Sequence, residues 1–220
     1  MIVIDYQKKH HKKIIHACVL ALKQGRVVAY PTDTSYGLAV DATNKKALRK
    51  LYQIKGRDFK KPSSFVVPSL SYAKKNSLWE KSVNKLVKKF WPGALTIVLK
   101  TKNKAFIAWR MPDNKIAMDL AKILHKPITA TSGNVSGQPD CYSADDIIKQ
   151  FKNKKLKPDI IINAGRLPKR KPSTIVKITT SSPRPNALGG QASLKRRGEN
   201  TVEILRQGPI SATKIAKALC

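Results

Sequence analysis

Hydrophobic positions along the chain follow helical spacing in some segments and strand spacing in others, which predicts a mixed α/β fold. Apolar residues recur at helical spacing over residues 11–24, and Gly25 is a typical helix stop. The next segment, 26–29, is apolar and β-branched and predicts a buried strand. Further helices are predicted at 44–54, 80–90, 113–125, from 143 and from 211, and strands at 64–67, 94–99, 105–111, 128–131, 159–163, 173–178 and 202–206.

The strand at 26–29 leads into a polar segment, residues 30–38, with the sequence YPTDTSYGL. Pro31 ends the strand because proline has no N–H to give to a ladder. Four hydroxyl side chains and Asp33 then fall within five positions before Gly37. Open α/β sheets bind ligands where strands end in such loops, but an ordinary surface turn has the same composition. The segment alone leaves a ligand-binding loop and a plain turn as alternatives.

The length of 220 residues predicts one domain over residues 1–220, with its core at about 11–210. The N-terminus has no pattern of a secretory signal, and no apolar run approaches the roughly 18–20 residues that span a bilayer. The three cysteines are few, odd in number and widely spaced, so neither a disulfide framework nor a zinc site is expected. These features predict a cytoplasmic protein without membrane contact.

The net charge of +31 comes from 44 Lys and Arg residues against 13 acidic residues. A polyanionic partner, RNA or DNA, is one explanation of this excess. The other is compositional bias, because lysine outnumbers arginine and a lysine-rich chain is typical of an AT-rich genome. Both explanations remain open from composition alone.

Two short motifs elsewhere in the chain suggest a site for a phosphorylated, polar ligand. Lys55-Gly-Arg57 ends a predicted helix, and Ser132-Gly-Asn134 lies in a glycine-bracketed loop after a predicted strand. Each motif alone is typical of a solvated helix end or a turn. The chain has neither a P-loop nor a Gly-x-Gly-x-x-Gly fingerprint, so side chains would have to hold any nucleotide. No Ser–His–Asp arrangement is evident.

Seven motifs occur in an order that resembles the YrdC/TsaC-type threonylcarbamoyl-AMP synthases, in their short bacterial form. The resemblance extends over about residues 11–210, and it rests on PTDTSYGL at 31–38, KGR at 55–57, WPGALT at 91–96, RMP at 110–112, TSGNVSG at 131–137, PST at 172–174 and LRQG at 205–208.

The resemblance implies a twisted open sheet of mixed parallel and antiparallel strands, flanked by helices, with a positively charged cavity. It implies an enzyme that joins L-threonine, bicarbonate and ATP into threonylcarbamoyl-adenylate and releases pyrophosphate. The product is used to modify the adenosine next to the anticodon of ANN-decoding tRNAs. Magnesium is expected with ATP, held mainly by substrate oxygens and water because no protein metal site is evident. Implied partners are tRNA or double-stranded RNA and the proteins that transfer the threonylcarbamoyl group.

The nucleotide side of the implied site consists of five residues. Lys55 and Arg57 would clamp the ATP phosphates and carry catalysis, with Lys61 close by, and Asn134 and Arg206 would contact the nucleotide. Joining a carbamate to a nucleotide asks mainly for positioning and charge neutralisation.

The threonine side of the implied site consists of four residues: Thr34, Arg110, Ser132 and Ser173. Arg110 suits the carboxylate of threonine because a guanidinium binds a carboxylate with two hydrogen bonds. Asp33 has no implied role as a base, since this chemistry scarcely needs one.

The chain departs from the family pattern at several positions, including Val66, where longer relatives have a threonine-binding His, Phe106, and Tyr142, where many members have a nucleotide-contacting Thr. Lys61 replaces an Asn of the longer relatives. The basic segment 179–200, which we interpret as a mobile loop, is longer than the family needs. The alternative to an enzyme is a non-catalytic RNA-binding module of the same fold.

Overall fold

The structure is a computed structural model, and it describes residues 1–59, 63–180 and 200–220. Lys61 and most of the basic segment 179–200 therefore lie outside the described residues. Within the described ranges no helix is both long and apolar enough to cross a membrane.

The described residues form seven α-helices and eleven strands. The helices are α1 (His11–Lys23), α2 (Lys45–Lys55), α3 (Leu70–Lys75), α4 (Lys81–Phe90), α5 (Lys115–Leu124), α6 (Ala144–Phe151) and α7 (Ala212–Leu219). The strands are β1 (Ile2–Asp5), β2 (Val28–Tyr30), β3 (Gly37–Ala39), β4 (Ser64–Val66), β5 (Leu95–Lys100), β6 (Phe106–Arg110), β7 (Ile128–Thr129), β8 (Thr131–Ser132), β9 (Ile160–Asn163), β10 (Thr174–Thr180) and β11 (Asn200–Arg206).

The strands form two mixed sheets, which confirms the predicted α/β architecture. One sheet has the order β1-β9-β2-β3-β8 and the other the order β11-β10-β5-β6-β4-β7. Parallel pairs such as β1 with β9 and β10 with β5 occur beside antiparallel pairs such as β2 with β3 and β5 with β6. The prediction of one open sheet is thereby refined to two sheets.

The segment 128–131, predicted as one strand, joins the two sheets. Ile128–Thr129 pairs with β4 of the six-stranded sheet, whereas Thr131–Ser132 pairs with β3 of the five-stranded sheet. Ala130 lies between them, and its N–H donates to the carbonyl of Ser64 at 2.7 Å. The chain thus passes from one sheet to the other within five residues, next to the Ser132-Gly-Asn134 motif.

Two helix starts follow directly from the sequence. The side chain of Asn44 accepts a hydrogen bond from Ala47 N–H and caps α2, as the pattern predicts. Ser143 and Asp146 form the predicted capping box of α6, with Asp in the position where Glu is common. Gly56 ends α2 in the left-handed conformation at φ 59°. Glycine adopts this conformation readily, whereas a residue with a Cβ would be strained there. That turn fixes where Lys55 and Arg57 lie.

Three hydrophobic clusters form the core. One packs α1 and α5 against the five-stranded sheet, and a second packs α2 and α6 against the same sheet. The third packs α3, α4 and α7 against one face of the six-stranded sheet. The opposite face of the six-stranded sheet carries polar residues in its strands and is not covered by a helix of the third cluster. This asymmetry leaves room for a site between the sheets.

Candidate functional site

A cavity of about 270 Å³ lies where the two sheets face each other. It is lined by the loop after β2, by the ends of β6 and β11, by β8 and by the residues just before β10. The predicted site residues among the lining are Thr34, Arg57, Arg110, Ser132, Ser173 and Arg206. The structure therefore brings together side chains that lie up to 172 positions apart in the printed sequence.

The loop after β2 is ordered by Thr32. Its hydroxyl donates to the carbonyl of Ser35 at 2.7 Å and accepts from the N–H groups of Thr34 and Ser35 at 3.1 and 3.3 Å. The same oxygen lies 3.1 Å from the hydroxyl of Thr34, and both side chains are buried. The sequence left open whether this segment was a plain turn. It is a tightly bonded turn, and it aims Thr34 into the cavity.

Arg110, the last residue of β6, is the buried cation of the cavity. Its Nη2 donates to Asp33 Oδ1 at 2.5 Å and to Thr34 Oγ1 at 3.1 Å. The side chains of Arg110 and Asp33 are only 8% and 6% exposed, so this ion pair is largely removed from water. The Nε atom of Arg110 is buried and has no hydrogen-bond partner among the described residues. The arginine is held in place and still has unused donor capacity.

Ser173 and Arg206 form the wall opposite the Thr34 loop. Arg206 donates from Nε to the Ser173 carbonyl at 3.0 Å and from Nη2 to the Ser173 hydroxyl at 3.2 Å. That hydroxyl also lies 2.9 Å from Thr96 Oγ1, and both oxygens are buried. Burial and the nearby charge of Arg110 lower the pKa of Arg206 below its ordinary value. Arg110 is buried and Arg206 is exposed at the mouth of the cavity, and two cations this close together favour an anionic ligand.

Gly208 allows the segment after β11 to pack closely on this wall. A Cβ at this position would lie 2.1 Å from the carbonyl oxygen of Pro172 and 2.6 Å from the backbone nitrogen of Thr174. Both contacts are with backbone that cannot simply move aside. The glycine of the 205–208 motif thus serves the geometry of Ser173 and Arg206.

Lys55 points away from this cavity, into the loop of the Ser132-Gly-Asn134 motif. Its Nζ donates to the carbonyl oxygens of Ser132 and Asn134, the latter at 2.7 Å, and to Asn134 Oδ1 at 3.3 Å. Together with Arg57, Ser132 and Asn134 it lines a neighbouring cavity of about 330 Å³. In this structure the ammonium group holds the loop, so its proposed contact with ATP phosphates stays a prediction.

Lys55 is expected to make stability increase with pH between about 8 and 10.5. Burial, with the charge of Arg57 second, lowers the pKa of Lys55 from 10.5 to about 8. The unfolded chain therefore binds more protons in that window, and the penalty for a buried charge is full below pH 8. Unfolding by denaturant at pH 7.5 and 9.5 should show wild type gaining stability relative to Lys55→Gln, with a slope of at most about 1.4 kcal/mol per pH unit. A constant difference between the two proteins would contradict this titration.

The Ser132-Gly-Asn134 loop is also bonded within itself. Ser132 Oγ donates to Asn134 Oδ1 at 2.5 Å, and the side-chain nitrogen Nδ2 of Asn134 donates to the carbonyl of Gln138. Arg57 reaches the same region, with Nη1 at 3.5 Å from Thr131 Oγ1. Arg57 and Ser132 line both cavities, whereas Asn134 lines only the neighbouring one among the described residues.

The family departures have different positions relative to the cavity. Val66 is buried and lines it, so an apolar side chain occupies the place of a polar contact. Tyr142 instead donates its hydroxyl to the carbonyl of Arg170 at 3.1 Å. Phe106 is 46% exposed and carries Lys177 over its ring at 4.5 Å, away from the cavity lining.

Three residues of the site have roles that sequence analysis missed. Asp33 holds Arg110, Thr32 orders the loop that carries Thr34, and Thr96 contacts Ser173. Asp33 and Thr32 stand in the polar segment, and Thr96 ends the WPGALT motif. Their motifs gave a signal, but no pattern in the sequence shows which side chain bonds to which.

The family model of Sua5, YciO and YrdC proteins, described as "Telomere recombination", matches residues 20–188. The chain belongs to the Sua5/YciO/YrdC family.

Two sequence relatives are named for the same activity. A putative threonylcarbamoyl-AMP synthase of Methanocaldococcus jannaschii is 35% identical over 183 residues, which cover 80% of this chain and 86% of that protein. The threonylcarbamoyl-AMP synthase of Bacillus subtilis is 34% identical over 156 residues, covering 66% of this chain and 45% of that longer protein.

The fold also matches solved structures. Sua5 of Pyrococcus abyssi in complex with L-threonine aligns with a TM-score of 0.82 at 26% identity, covering 99% of this chain and 61% of that chain. Escherichia coli YciO aligns with a TM-score of 0.72 at 24% identity, covering 94% of both chains. The second match concerns the fold alone.

Proposed function

We propose that this protein is an L-threonylcarbamoyladenylate synthase, a nucleotidyltransferase that uses L-threonine, bicarbonate and ATP. The observation that carries the proposal is Arg110, a buried arginine whose Nε–H has no partner in the described part of the chain, at the edge of a small cavity that also contains Thr34 and Ser173. A guanidinium with free donors matches the carboxylate of an amino acid, and hydroxyls match its polar groups. Relatives named as threonylcarbamoyl-AMP synthases and a structural match bound to L-threonine support the same assignment.

The proposed reaction has two steps. The amine nitrogen of threonine forms a bond to the carbon of bicarbonate, water is lost, and a carbamate results. A carbamate oxygen then forms a bond to the α-phosphorus of ATP while the bond from that phosphorus to the bridging oxygen breaks, and pyrophosphate leaves. Because no group on the protein needs to form a covalent bond, catalysis depends on orientation and charge neutralisation.

The residues divide between the two ends of this reaction. Arg110, Thr34, Ser132 and Ser173 orient threonine. Arg206 keeps its proposed contact with the nucleotide, and its hydrogen bonds to Ser173 put its charge next to the threonine end as well. Arg57 lines both cavities and is placed to neutralise the phosphates where they would meet the carbamate. Lys55 fixes the loop that carries Ser132, proposed for the threonine side, and Asn134, proposed for the nucleotide side. The contact of Lys61 with the phosphates stays a prediction, because Lys61 lies outside the described residues.

Magnesium is proposed to arrive with ATP and to be held mainly by phosphate oxygens and water. Among the described residues no group of three His, Cys, Asp or Glu side chains is arranged to hold a metal ion. Asp140 lines the main cavity and Asp33 is engaged by Arg110. The ion would help neutralise the triphosphate, and such a substrate-held ion is ordinary for magnesium, which keeps several waters in many nucleotide sites.

We also propose that the product serves tRNA threonylcarbamoylation in the cytoplasm, through proteins that transfer the group to tRNA. The net charge of +31 supports direct contact with tRNA or double-stranded RNA. Cys18, Cys141 and Cys220 are unpaired thiols, which supports a reducing compartment. The synthase is favoured over a non-catalytic RNA-binding module by the relatives named as synthases and by the presence of both Lys55-Gly-Arg57 and Ser132-Gly-Asn134.

The purified protein is expected to release pyrophosphate only when ATP, threonine and bicarbonate are all present. Coupled detection of pyrophosphate measures this directly, with threonine omitted as the control. Serine in place of threonine is a second comparison: it lacks one methyl group, so we expect a rate about 10–200-fold lower than with threonine. A rate no higher than that without threonine would overturn the synthase and leave the RNA-binding module.

A further inference from the structure

A third cavity lies on the opposite face of the six-stranded sheet, and nothing in the proposed reaction uses it. Its volume is about 480 Å³, and it shares no lining residue with the main cavity. We call it the back cavity; among the described residues it is lined by Ala42, Thr43, Phe65, Tyr72, Lys75, Asn76, Thr101, Lys102, Asn103, Ala105, Ile107, Trp109 and Pro127.

The alternation of β6 separates the two cavities. Ala108 and Arg110 face the main cavity, whereas Ile107 and Trp109 face the back cavity. Successive side chains of a strand point to opposite faces, so this division follows from the backbone. In β4, Phe65 pairs with Trp109 and lines the same side. The back cavity is therefore separate from the main one, with the thickness of the sheet between them.

Three aromatic rings form one side of the back cavity. The Tyr72 ring meets Trp109 edge-on with centroids 6.1 Å apart, and the Phe65 ring lies tilted against Trp109 at the same distance. Phe65 and Tyr72 are partly exposed, whereas Trp109 is 1% exposed and donates from Nε1 to Ser77 Oγ at 2.7 Å. The rings are thus fixed in position and two of them are accessible. Such a surface suits a flat, unsaturated ring, because proteins bind nucleobases by stacking them on aromatic side chains.

The polar rim of the back cavity is cationic. Lys75 on α3 and Lys102 in the turn between β5 and β6 both line it, and neither ammonium group has a hydrogen-bond or ion-pair partner among the described residues. The hydroxyl of Tyr72 is likewise unbonded within the described chain. No acidic residue is among the described lining residues. The adjacent Asp41 is neutralised by Lys126 at 2.8 Å and by two hydrogen bonds from Thr43.

We propose that the back cavity binds a nucleotide, with its base against the aromatic rings and its phosphate beside Lys75 and Lys102. The volume lies within the 300–1,000 Å³ range of pockets for small ligands. Aromatic walls with a cationic rim match the two parts of a nucleotide, and the charge of +31 draws polyanions to this surface. The nucleotide is either free in solution or one unit of a single-stranded RNA.

Fluorescence anisotropy with a labelled single-stranded RNA of six nucleotides, and competition by AMP, test this site on the full chain. Lys75→Glu/Lys102→Glu and, separately, Tyr72→Ala should each weaken binding at least about tenfold. The matched control is Lys12→Glu/Lys13→Glu on α1, which changes the net charge equally and involves exposed residues outside the back cavity. Pyrophosphate release by Lys75→Glu/Lys102→Glu should stay at the wild-type rate, because both residues face away from the main cavity.

The outcomes of this experiment distinguish a free nucleotide from a nucleotide within an RNA strand, and both from the absence of a binding site. Competition by AMP that survives Arg57→Ala but is lost in Lys75→Glu/Lys102→Glu assigns the site to a free nucleotide. RNA binding without competition by AMP assigns it to a nucleotide within a strand. The proposal is overturned if neither probe binds, or if the lysine variant and the α1 control lose the same affinity. Since the lysines are exposed, their variant keeps the test valid even where Tyr72→Ala fails to fold.

Discussion

Arg57→Ala is expected to lower pyrophosphate release at least about a hundredfold while changing the melting temperature by only about 2 °C. Arg57 lines both cavities, so its charge is available where the triphosphate and the carbamate would meet. Cationic side chains that neutralise developing charge in phosphoryl transfer contribute several orders of magnitude to the rate. Initial rates at saturating substrates and a thermal melt of the same preparation provide both measurements.

Arg49→Ala is the matched control for this prediction. Arg49 lies on α2, the helix that ends just before Arg57, and is exposed, so removing it takes away an equal charge without touching the main or the neighbouring cavity. The control should keep the wild-type rate. If Arg57→Ala instead melts far below wild type, then Arg57 is needed for the fold, and if it turns over normally, then the phosphates are bound elsewhere.

Arg110→Ala is expected to raise the KM for threonine at least about a hundredfold and to leave the KM for ATP nearly unchanged. The substitution removes the partner of a threonine carboxylate, and it also leaves the carboxylate of Asp33 buried without a cation. Breaking a buried ion pair from one side typically costs about 3–5 kcal/mol of stability. Rates measured against each substrate, with unfolding by denaturant, separate the loss of binding from the loss of stability.

The double variant Asp33→Asn/Arg110→Ala distinguishes these two effects. It removes the unpaired charge, so stability should recover toward wild type, while the KM for threonine should stay high. Arg110→Lys offers a second comparison, because lysine keeps the charge but cannot form the two-pronged contact of a guanidinium. A double variant that regains normal threonine affinity would show that Arg110 supports the fold and does not bind threonine.

The larger elements of the fold could be predicted because each has a local signal. The caps at Asn44 and Ser143 and the apolar spacing of α1, α4 and α5 depend only on neighbouring residues. The short elements could not be predicted in this way. Strand β8 has two residues, too few for a period, and strand β3 begins at Gly37, inside a segment whose composition indicates a turn. Both exist because of pairing with strands far along the chain.

The composition of the candidate site could be predicted better than its bonds. Motif order placed Thr34, Arg110 and Ser173 in one site, and the structure brings them into one cavity. The direction of Lys55 could not be predicted, because its acceptors are backbone carbonyls of a loop that begins 77 positions later. The pairing of Asp33 with Arg110, also across 77 positions, depends in the same way on how the two sheets meet.

The cavity takes its walls from two separate sheets. The Thr34 loop and Ser132 belong to the five-stranded sheet, and Arg110, Ser173 and Arg206 belong to the six-stranded one. An amino acid bound by both sets of residues would connect the two sheets. Its binding free energy would therefore stabilise the arrangement in which the two sheets are packed together. A partly folded chain with one sheet formed would offer only one of the two sets of contacts and would therefore bind threonine weakly. Substrate would thus select molecules whose folding is complete.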